Sequence, residues 1–367
     1  MRRLAPAALM LSAVAVPAQA LETELNLNTY LAGSLRYLES DFETGEDQFE
    51  GTNNASRLSL KGSVKNDYAR LFGVYDRGLR NDKAGIEPER QIYLGVDTAY
   101  GQLLAGKKAS EYRLSGERLD PFYDTSVAGF NGRAQSEGAS YGLSNLSNGY
   151  SRNMIGYSTP NLYDQLRLNA AVFLNDKDAP NDEMDYSAGG SLTVPGLVEG
   201  TQATVGAQYL KIENVAAFAA GDAGRNELLA VAGSPGVSTS YRAYAAYTAP
   251  RYSLGVSFEN VDVASEPDAR RYYYLAGTYA LSETLRLAGS FGYLDFKPGS
   301  PELSGQGYSL GLFRKLNANT NAYLAARQVS LDTGGDSSSI AVGVSINFDV
   351  KLYPFSFGGG DDETAAE

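Results

Sequence analysis

The sequence predicts an all-β fold, a transmembrane antiparallel β-barrel of about 16 strands. Apolar and polar residues alternate along segments of about ten residues, as in strands that have lipid on one face and water on the other. Short turns alternate along the chain with longer polar connections. After the first 20 residues, no uninterrupted apolar run reaches the roughly 18 residues that a transmembrane helix needs. The 26 Tyr, 14 Phe and 40 Gly also favour strands and turns over helices.

The chain begins with the pattern of a secretory signal peptide at residues 1–20. Arg2 and Arg3 form a basic start, residues 4–16 form an apolar stretch, and Ala18-Gln19-Ala20 is a small-x-small cleavage site. Cleavage would leave 29 basic and 43 acidic residues, a net charge of −14 compared with −12 for the full chain. We do not expect such an acidic chain to bind nucleic acid through a basic surface.

Alternation with a period of two predicts sixteen strands. In the last of them, Val342 and Val344 share one face while Ala341 and Gly343 share the other. The predicted strands cover residues 22–39, 55–65, 68–78, 90–97, 102–108, 150–158, 165–174, 184–194, 201–212, 238–248, 251–261, 269–280, 284–296, 305–315, 319–329 and 338–349.

The connections distinguish a barrel from a soluble sandwich, whose strands also alternate. Connections after odd-numbered strands are mostly longer, polar and rich in Gly and Asp. Those after even-numbered strands are short: residues 66–67, 99–101, 160–164, 195–200, 249–250, 281–283 and 316–318. Membrane barrels place short turns on one rim and long loops on the other. A sandwich has no reason to separate the two kinds, so this pattern favours the barrel.

The chain contains no His, no Cys and no Trp. It therefore lacks the residues for a Ser-His or Cys-His nucleophile pair and for an imidazole or thiolate zinc site. Paired carboxylates can still perform acid–base chemistry without His, but no two acids in the strands have a spacing that supports it. We expect no enzyme activity, no catalytic residue, no cofactor and no metal site.

Five short segments carry a resemblance to a known family: residues 55–62 (ASRLSLKG), 90–96 (RQIYLGV), 100–107 (YGQLLAGK), 120–122 (DPF) and 151–161 (SRNMIGYSTPN). In order and spacing they resemble strands two, four and five, the third loop and strand six of Gram-negative general porins. The resemblance implies a water-filled, sixteen-stranded barrel over residues 21–350, usually a homotrimer, in the cell outer membrane. Its partners would be outer-membrane lipid and lipopolysaccharide, with ions and small hydrophilic solutes passing through.

The C-terminus departs from the family pattern. Gly343, Ile346 and Phe348 resemble the terminal assembly signal of that family, whose chains normally stop at an aromatic residue ending the last strand. Here the chain continues, and residues 351–367 contain a glycine run followed by acids. Such a segment lacks core-forming residues, which predicts an acidic tail. A tether or an altered assembly signal is the alternative.

The longest connection, residues 109–149, is the predicted functional segment. Loops beyond about 15 residues are usually functional or disordered, and the resemblance implies that this one folds into the lumen as a constriction loop. Among its acids, Asp120, Asp124 and Glu137 are the candidates for the narrow part of the channel.

The residues opposite these acids are predicted to be basic. Arg57 alternates away from Leu58 and Leu60 and should point inward. The resemblance makes Arg57 and Arg90 the basic wall that faces the loop acids. Alternation argues against Arg90, because Ile92 and Leu94 share its parity. The alternative for both arginines is an ordinary lumen or rim salt bridge.

Three functional classes remain. A passive porin, weakly cation-selective because of the negative net charge, needs only a wet lumen and a constriction. A substrate-selective outer-membrane channel with a binding track of Tyr and Arg in the lumen is the alternative, and saturable conductance would distinguish it. A barrel enzyme ranks last.

Overall fold

A computed structural model describes residues 21–41, 48–79, 89–128, 142–144, 151–174, 185–196, 198–212, 238–263, 268–295, 304–332 and 334–357. These residues form one short helix, α1 (Glu111–Glu117), and seventeen strand segments. The strands are β1 (Leu21–Ser40), β2 (Gln48–Asn53), β3 (Arg57–Lys65), β4 (Ala69–Gly78), β5 (Glu89–Thr98), β6 (Gly101–Lys108), β7 (Ser151–Ser158), β8 (Leu166–Phe173), β9 (Asp185–Pro195), β10 (Gln202–Ile212), β11 (Ser238–Thr248), β12 (Tyr252–Val263), β13 (Arg270–Ala280), β14 (Leu285–Asp295), β15 (Gly305–Lys315), β16 (Thr320–Leu331) and β17 (Asp336–Phe357).

The strands close into a barrel. From β4 to β16, each strand pairs antiparallel with the strands before and after it in sequence, and β1 pairs with β17 to complete the ring. The long β1 pairs with β2 along its second half and with β3 along its first half. Because β2 and β3 occupy one position in the ring, the seventeen segments form sixteen positions. The predicted antiparallel barrel of about sixteen strands is confirmed.

The break between β2 and β3 lies at residues 54–56. Ala55 adopts a positive φ of 62°, and the side-chain carbonyl of Asn53 accepts a hydrogen bond from the Ser56 backbone N–H at 2.9 Å. The Ser56 hydroxyl bonds the Ala32 carbonyl of β1 at 3.0 Å. The chain therefore leaves the ladder after β2 and re-enters it as β3. Ser56 keeps the intervening residues in contact with β1.

The two faces of the barrel follow the predicted alternation. In β17, Ile340 and Val342 are half exposed on the outer face, whereas Ala341 is buried on the inner face. In β12, Leu254 and Val256 face outward, and Glu259 lies fully buried on the opposite face. The outer face is thus apolar, and charged groups are turned inside.

β17 continues beyond the predicted end of the barrel at residue 350. Its ladder with β1 runs to the pair formed by Leu21 and Phe357, with one register shift between Leu25 and Asn26. Residues 351–357 are therefore strand, which corrects the start of the predicted tail. Residues 358–367 of that tail, and the predicted signal peptide at residues 1–20, lie outside the described residues.

Helical structure contributes little to the architecture. Within the described ranges, no helix has both the length and the hydropathy needed to cross a membrane.

Candidate functional site

The connection between β6 and β7 provides the candidate site. Its described parts, residues 109–128 and 142–144, are here called the inner segment. It begins with α1, whose N-terminal cap is Ser110: the Ser110 hydroxyl accepts a hydrogen bond from the Arg113 N–H at 3.2 Å. The helix packs beside β9 and β10 with Tyr112 completely buried, and this burial raises the pKa of the Tyr112 phenol well above its ordinary value.

From α1 the inner segment crosses to the opposite wall of the barrel. Phe122 is fully buried in a cluster with Ala288 of β14, and its ring lies 5.8 Å from that of Phe313 of β15. In a ring of sixteen positions, β14 lies eight positions from β6, directly opposite it. A segment that starts on β6 and packs against β14 therefore spans the interior.

Further on, the inner segment returns to the wall at β1 and β3. The Asp124 carboxylate lies 2.7 Å from Nη1 of Arg57, and the Arg57 guanidinium stacks 4.2 Å from the ring centre of Tyr30. The Arg57 side chain is 26% exposed and that of Asp124 11%, so water reaches the pair from one side. Burial raises the pKa of the Asp124 carboxyl above its ordinary value, and the charge of Arg57 opposes that shift. The inward direction of Arg57 follows the predicted alternation, since Leu58 and Leu60 are exposed on the outer face.

Arg90 also points inward, although strict alternation places it on the outer face with Ile92 and Leu94. The ladder between β4 and β5 pairs Asp76 with Gln91 and Arg77 with Glu89, so Arg90 is the extra residue of a β-bulge. A bulge lets two successive residues point to the same face. Accordingly Arg90 Nε lies 3.7 Å from the buried carboxylate of Asp76, and Gln91 Nε2 lies 3.4 Å from it. Arg90 thus pairs with an acid of the wall, and its charge also favours the ionised form of Asp124.

One of the predicted loop acids, Asp120, lies elsewhere than expected. Asp120 is 5% exposed and accepts hydrogen bonds from the Tyr274 hydroxyl at 2.8 Å and from the Phe122 backbone N–H at 3.0 Å. It therefore anchors the inner segment to β13 instead of facing Arg57 and Arg90 as predicted. Glu137 lies outside the described residues.

Two further anchors were not foreseen from the sequence. Arg36 of β1 is buried, pairs with Glu50 and donates to the Ser126 carbonyl at 3.4 Å. Arg242 and Glu259 form a fully buried ion pair beneath α1. Alternation places Arg36 inward, since it lies between the exposed Leu35 and Tyr37. No local signal identifies the contacts of the two arginines with the inner segment, because Ser126 lies 90 residues from Arg36 and Tyr112 lies 130 residues from Arg242.

The site thus holds charges of both signs on either side of a segment that spans the barrel. Within the described ranges, no group of three or more metal-binding side chains comes together. The arrangement can orient polar solutes and ions.

Comparison with known proteins identifies the family. The sequence model of the Gram-negative porins matches residues 6–334 of this chain. The chain belongs to the Gram-negative porin family. It is accordingly an outer-membrane channel protein, and the resemblance seen in its sequence segments is confirmed. No curated protein sequence matches it.

Solved porin structures share the fold at low sequence identity. The anion-selective porin of Comamonas acidovorans has a TM-score of 0.69 and 16% identity, covering 89% of this chain and 100% of that one. OmpF of Salmonella typhi in complex with daunomycin has a TM-score of 0.64 and 15% identity, covering 88% and 97%. The trimer form of OmpT from Vibrio cholerae has a TM-score of 0.63 and 15% identity, covering 89% and 99%. At these identities the likeness concerns the fold.

Proposed function

We propose that this porin is a passive channel for ions and small hydrophilic solutes and that the inner segment is its constriction. The proposal rests on the position of Phe122. This residue packs against β14, which lies opposite β6, the strand from which the inner segment departs. A sixteen-stranded barrel is otherwise a wide aqueous channel. A segment spanning its interior sets the size limit, with Arg57 and Asp124 at the water-facing boundary.

We propose weak cation selectivity for the channel. The mature chain would carry a net charge of −14, and a surplus of acids raises the local cation concentration. Ions in solution screen this effect over about 8–10 Å at physiological salt, so the preference shrinks as salt rises. The fold alone does not set the sign, because a similar fold occurs in a porin described as anion-selective.

The proposed assembly is a homotrimer surrounded by outer-membrane lipid and lipopolysaccharide. The apolar outer face supports the contact with lipid, and a structural neighbour described as a trimer supports the oligomer. Residues 1–20 would be removed on export, and the acidic residues after Phe357 would extend from the barrel as a tail.

A substrate-selective channel is the second candidate. Tyr30 beneath the Arg57 guanidinium is the observation that favours it, since an arginine stacked on an aromatic ring offers both a charge and a flat surface to a solute. Such a binding track would saturate as solute concentration rises, whereas a passive channel would not.

Planar-bilayer recordings of the purified protein test the proposal. We expect conductance that rises with KCl concentration without saturating, and a reversal potential in a dilute KCl gradient that favours K⁺. Absence of channels would contradict the function. Saturation would favour the second candidate, and a reversal potential of opposite sign would contradict the cation preference alone.

A further inference from the structure

A fully buried ion pair lies on the inner wall beneath the inner segment. Arg242 of β11 and Glu259 of β12 are direct partners in the ladder. Nη2 of Arg242 lies 2.8 Å from Oε2 of Glu259, and both side chains have no exposed surface. Taking two charges out of water is costly unless their remaining hydrogen-bonding capacity is satisfied. Among the described residues, the inner segment supplies hydrogen bonds to both members of the pair.

The first limb of the inner segment, at α1, contacts both members of the pair. The Tyr112 hydroxyl donates to Oε1 of Glu259 at 2.7 Å. Nη1 of Arg242 donates to the Tyr112 carbonyl at 2.8 Å and to the Ser115 hydroxyl at 3.0 Å.

The returning limb, residues 142–144, binds the same carboxylate. The Ser144 N–H donates to Oε2 of Glu259 at 3.1 Å, and the Ser144 hydroxyl donates to Oε1 at 2.5 Å. Glu259 therefore accepts hydrogen bonds from Tyr112 and Ser144, which belong to opposite ends of the inner segment. One carboxylate joins the two limbs at their base.

Close packing holds the returning limb in the same place. Gly142 has a φ of +92°, and a Cβ there would lie 2.6 Å from the Cα of Gly292 and 2.8 Å from the Tyr273 carbonyl. Leu143 is fully buried in a cluster with Leu119 and Tyr274. This limb thus lies directly on the backbone of β13 and β14, where only glycine fits.

We propose that Arg242 and Glu259 are positioning residues of the channel: they clamp both limbs of the inner segment to the wall and thereby fix the width of the constriction. This inference rests on the proposed function of the inner segment. Neither residue would need to touch a passing solute. The clamp would instead keep the open channel at one width, with little fluctuation of its current.

The variant Glu259→Gln tests the clamp, because an amide keeps the shape of the side chain but cannot accept all four hydrogen bonds. Asp97→Asn is the matched control: Asp97 accepts from Nε of Arg70 at 2.9 Å across β4 and β5, away from the inner segment. The readouts are open-channel current noise in planar bilayers and the size limit for neutral polyethylene glycols in liposome swelling. We expect E259Q to raise the noise and admit larger solutes, and D97N to match the natural protein in both.

Single-limb variants separate clamping from a general structural role. Tyr112→Phe and Ser144→Ala each remove one side-chain hydrogen bond to Glu259 and no charge. Each should raise the noise by itself, and its effect should be smaller in the E259Q background, because the amide there already offers one acceptor oxygen in place of two. Additive effects on the noise would contradict the clamp. So would single-limb variants whose open-channel current noise equals that of the natural protein. If E259Q does not assemble, the two single-limb variants decide the question.

A shortened chain, in which a Gly-Ser linker replaces residues 126–148, distinguishes failure of the clamp from failure of the proposed function. If shortening widens the channel while E259Q and both single-limb variants leave it unchanged, the clamp is wrong and the constriction stands. If shortening has no effect, the proposed constriction itself is wrong.

Discussion

Arg57 is a wall residue held by several contacts at the proposed constriction. Its Nη1 donates to Asp124 at 2.7 Å and to the Ala55 carbonyl at 3.1 Å, and its guanidinium covers the ring of Tyr30. These contacts fix a positive charge at the boundary between wall and inner segment. Local charges of this kind orient polar solutes and select ions in a narrow pore.

Removing either member of this pair should change ion selectivity in opposite directions. Asp124→Asn leaves Arg57 without its countercharge and should shift the reversal potential toward anions; Arg57→Gln should shift it toward cations. Each change also weakens a partly buried charge-assisted hydrogen bond, which should lower the free energy of unfolding by about 1–3 kcal/mol. Asp41 and Glu43 changed to their amides provide the control for charge outside the inner segment. If this control altered the reversal potential as much as D124N, local pairing would not set selectivity.

Selectivity should also depend on pH through Asp124. Because burial raises its pKa, this carboxyl takes up a proton at a higher pH than ordinary carboxyls do as the solution is acidified. Arg57 keeps its charge, so the pore gains net positive charge and the reversal potential moves toward anions. Recordings at falling pH should show an early step in the natural protein that D124N lacks. An identical pH profile in both proteins would contradict this assignment.

Alternation predicts single residues well only where the strand is regular. It places Arg57 inward correctly, and it misleads for Arg90 because the bulge in β5 breaks the period of two. The partners of Asp120 and Glu259 were beyond sequence reasoning, because each contact joins the inner segment to a strand more than a hundred residues away. Those contacts depend on how the segment crosses the barrel.

At the level of elements, most strands were predicted within a few residues, but β17 runs on to Phe357 and one segment was missed. β2 (Gln48–Asn53) is six residues long and follows a stretch of sequence rich in acids, so it lacks the length and alternation that reveal a strand. β2 is a strand because it pairs with the second half of β1. The path of the inner segment was likewise not predictable, because buried tertiary contacts determine it.

Gly142→Ala should loosen the returning limb. The added methyl group meets the backbone of β13 and β14, and the positive φ is itself unfavourable for alanine. We expect noisier open-channel current and a larger size limit, as for loss of the clamp. Gly200→Ala is the control, since Gly200 also has a positive φ but lies in the turn between β9 and β10, where a Cβ would lie 3.4 Å from Pro250. Equal effects of the two substitutions would show that backbone strain, and not the position of the limb, changes the channel.

At the scale of the whole molecule, barrel closure through the ladder of β1 and β17 satisfies the strand edges and leaves an apolar outer face. The proposed homotrimer predicts a compact oligomer band on denaturing gels of unboiled protein, which heating converts to the monomer. The spectrum of circular dichroism should be that of a β protein. A helix-rich spectrum, or a mature chain that stays in solution without detergent, would contradict this prediction.

Residues 109–149 are proposed to narrow a water-filled barrel. The most direct measurement compares the solute size limit and single-channel conductance of the natural protein with those of the chain carrying a Gly-Ser linker in place of residues 126–148. Because the linker lacks the anchors at Ser126, Gly142 and Ser144, we predict a larger size limit and a higher conductance. Unchanged values for both would contradict the claim and place the constriction elsewhere in the barrel.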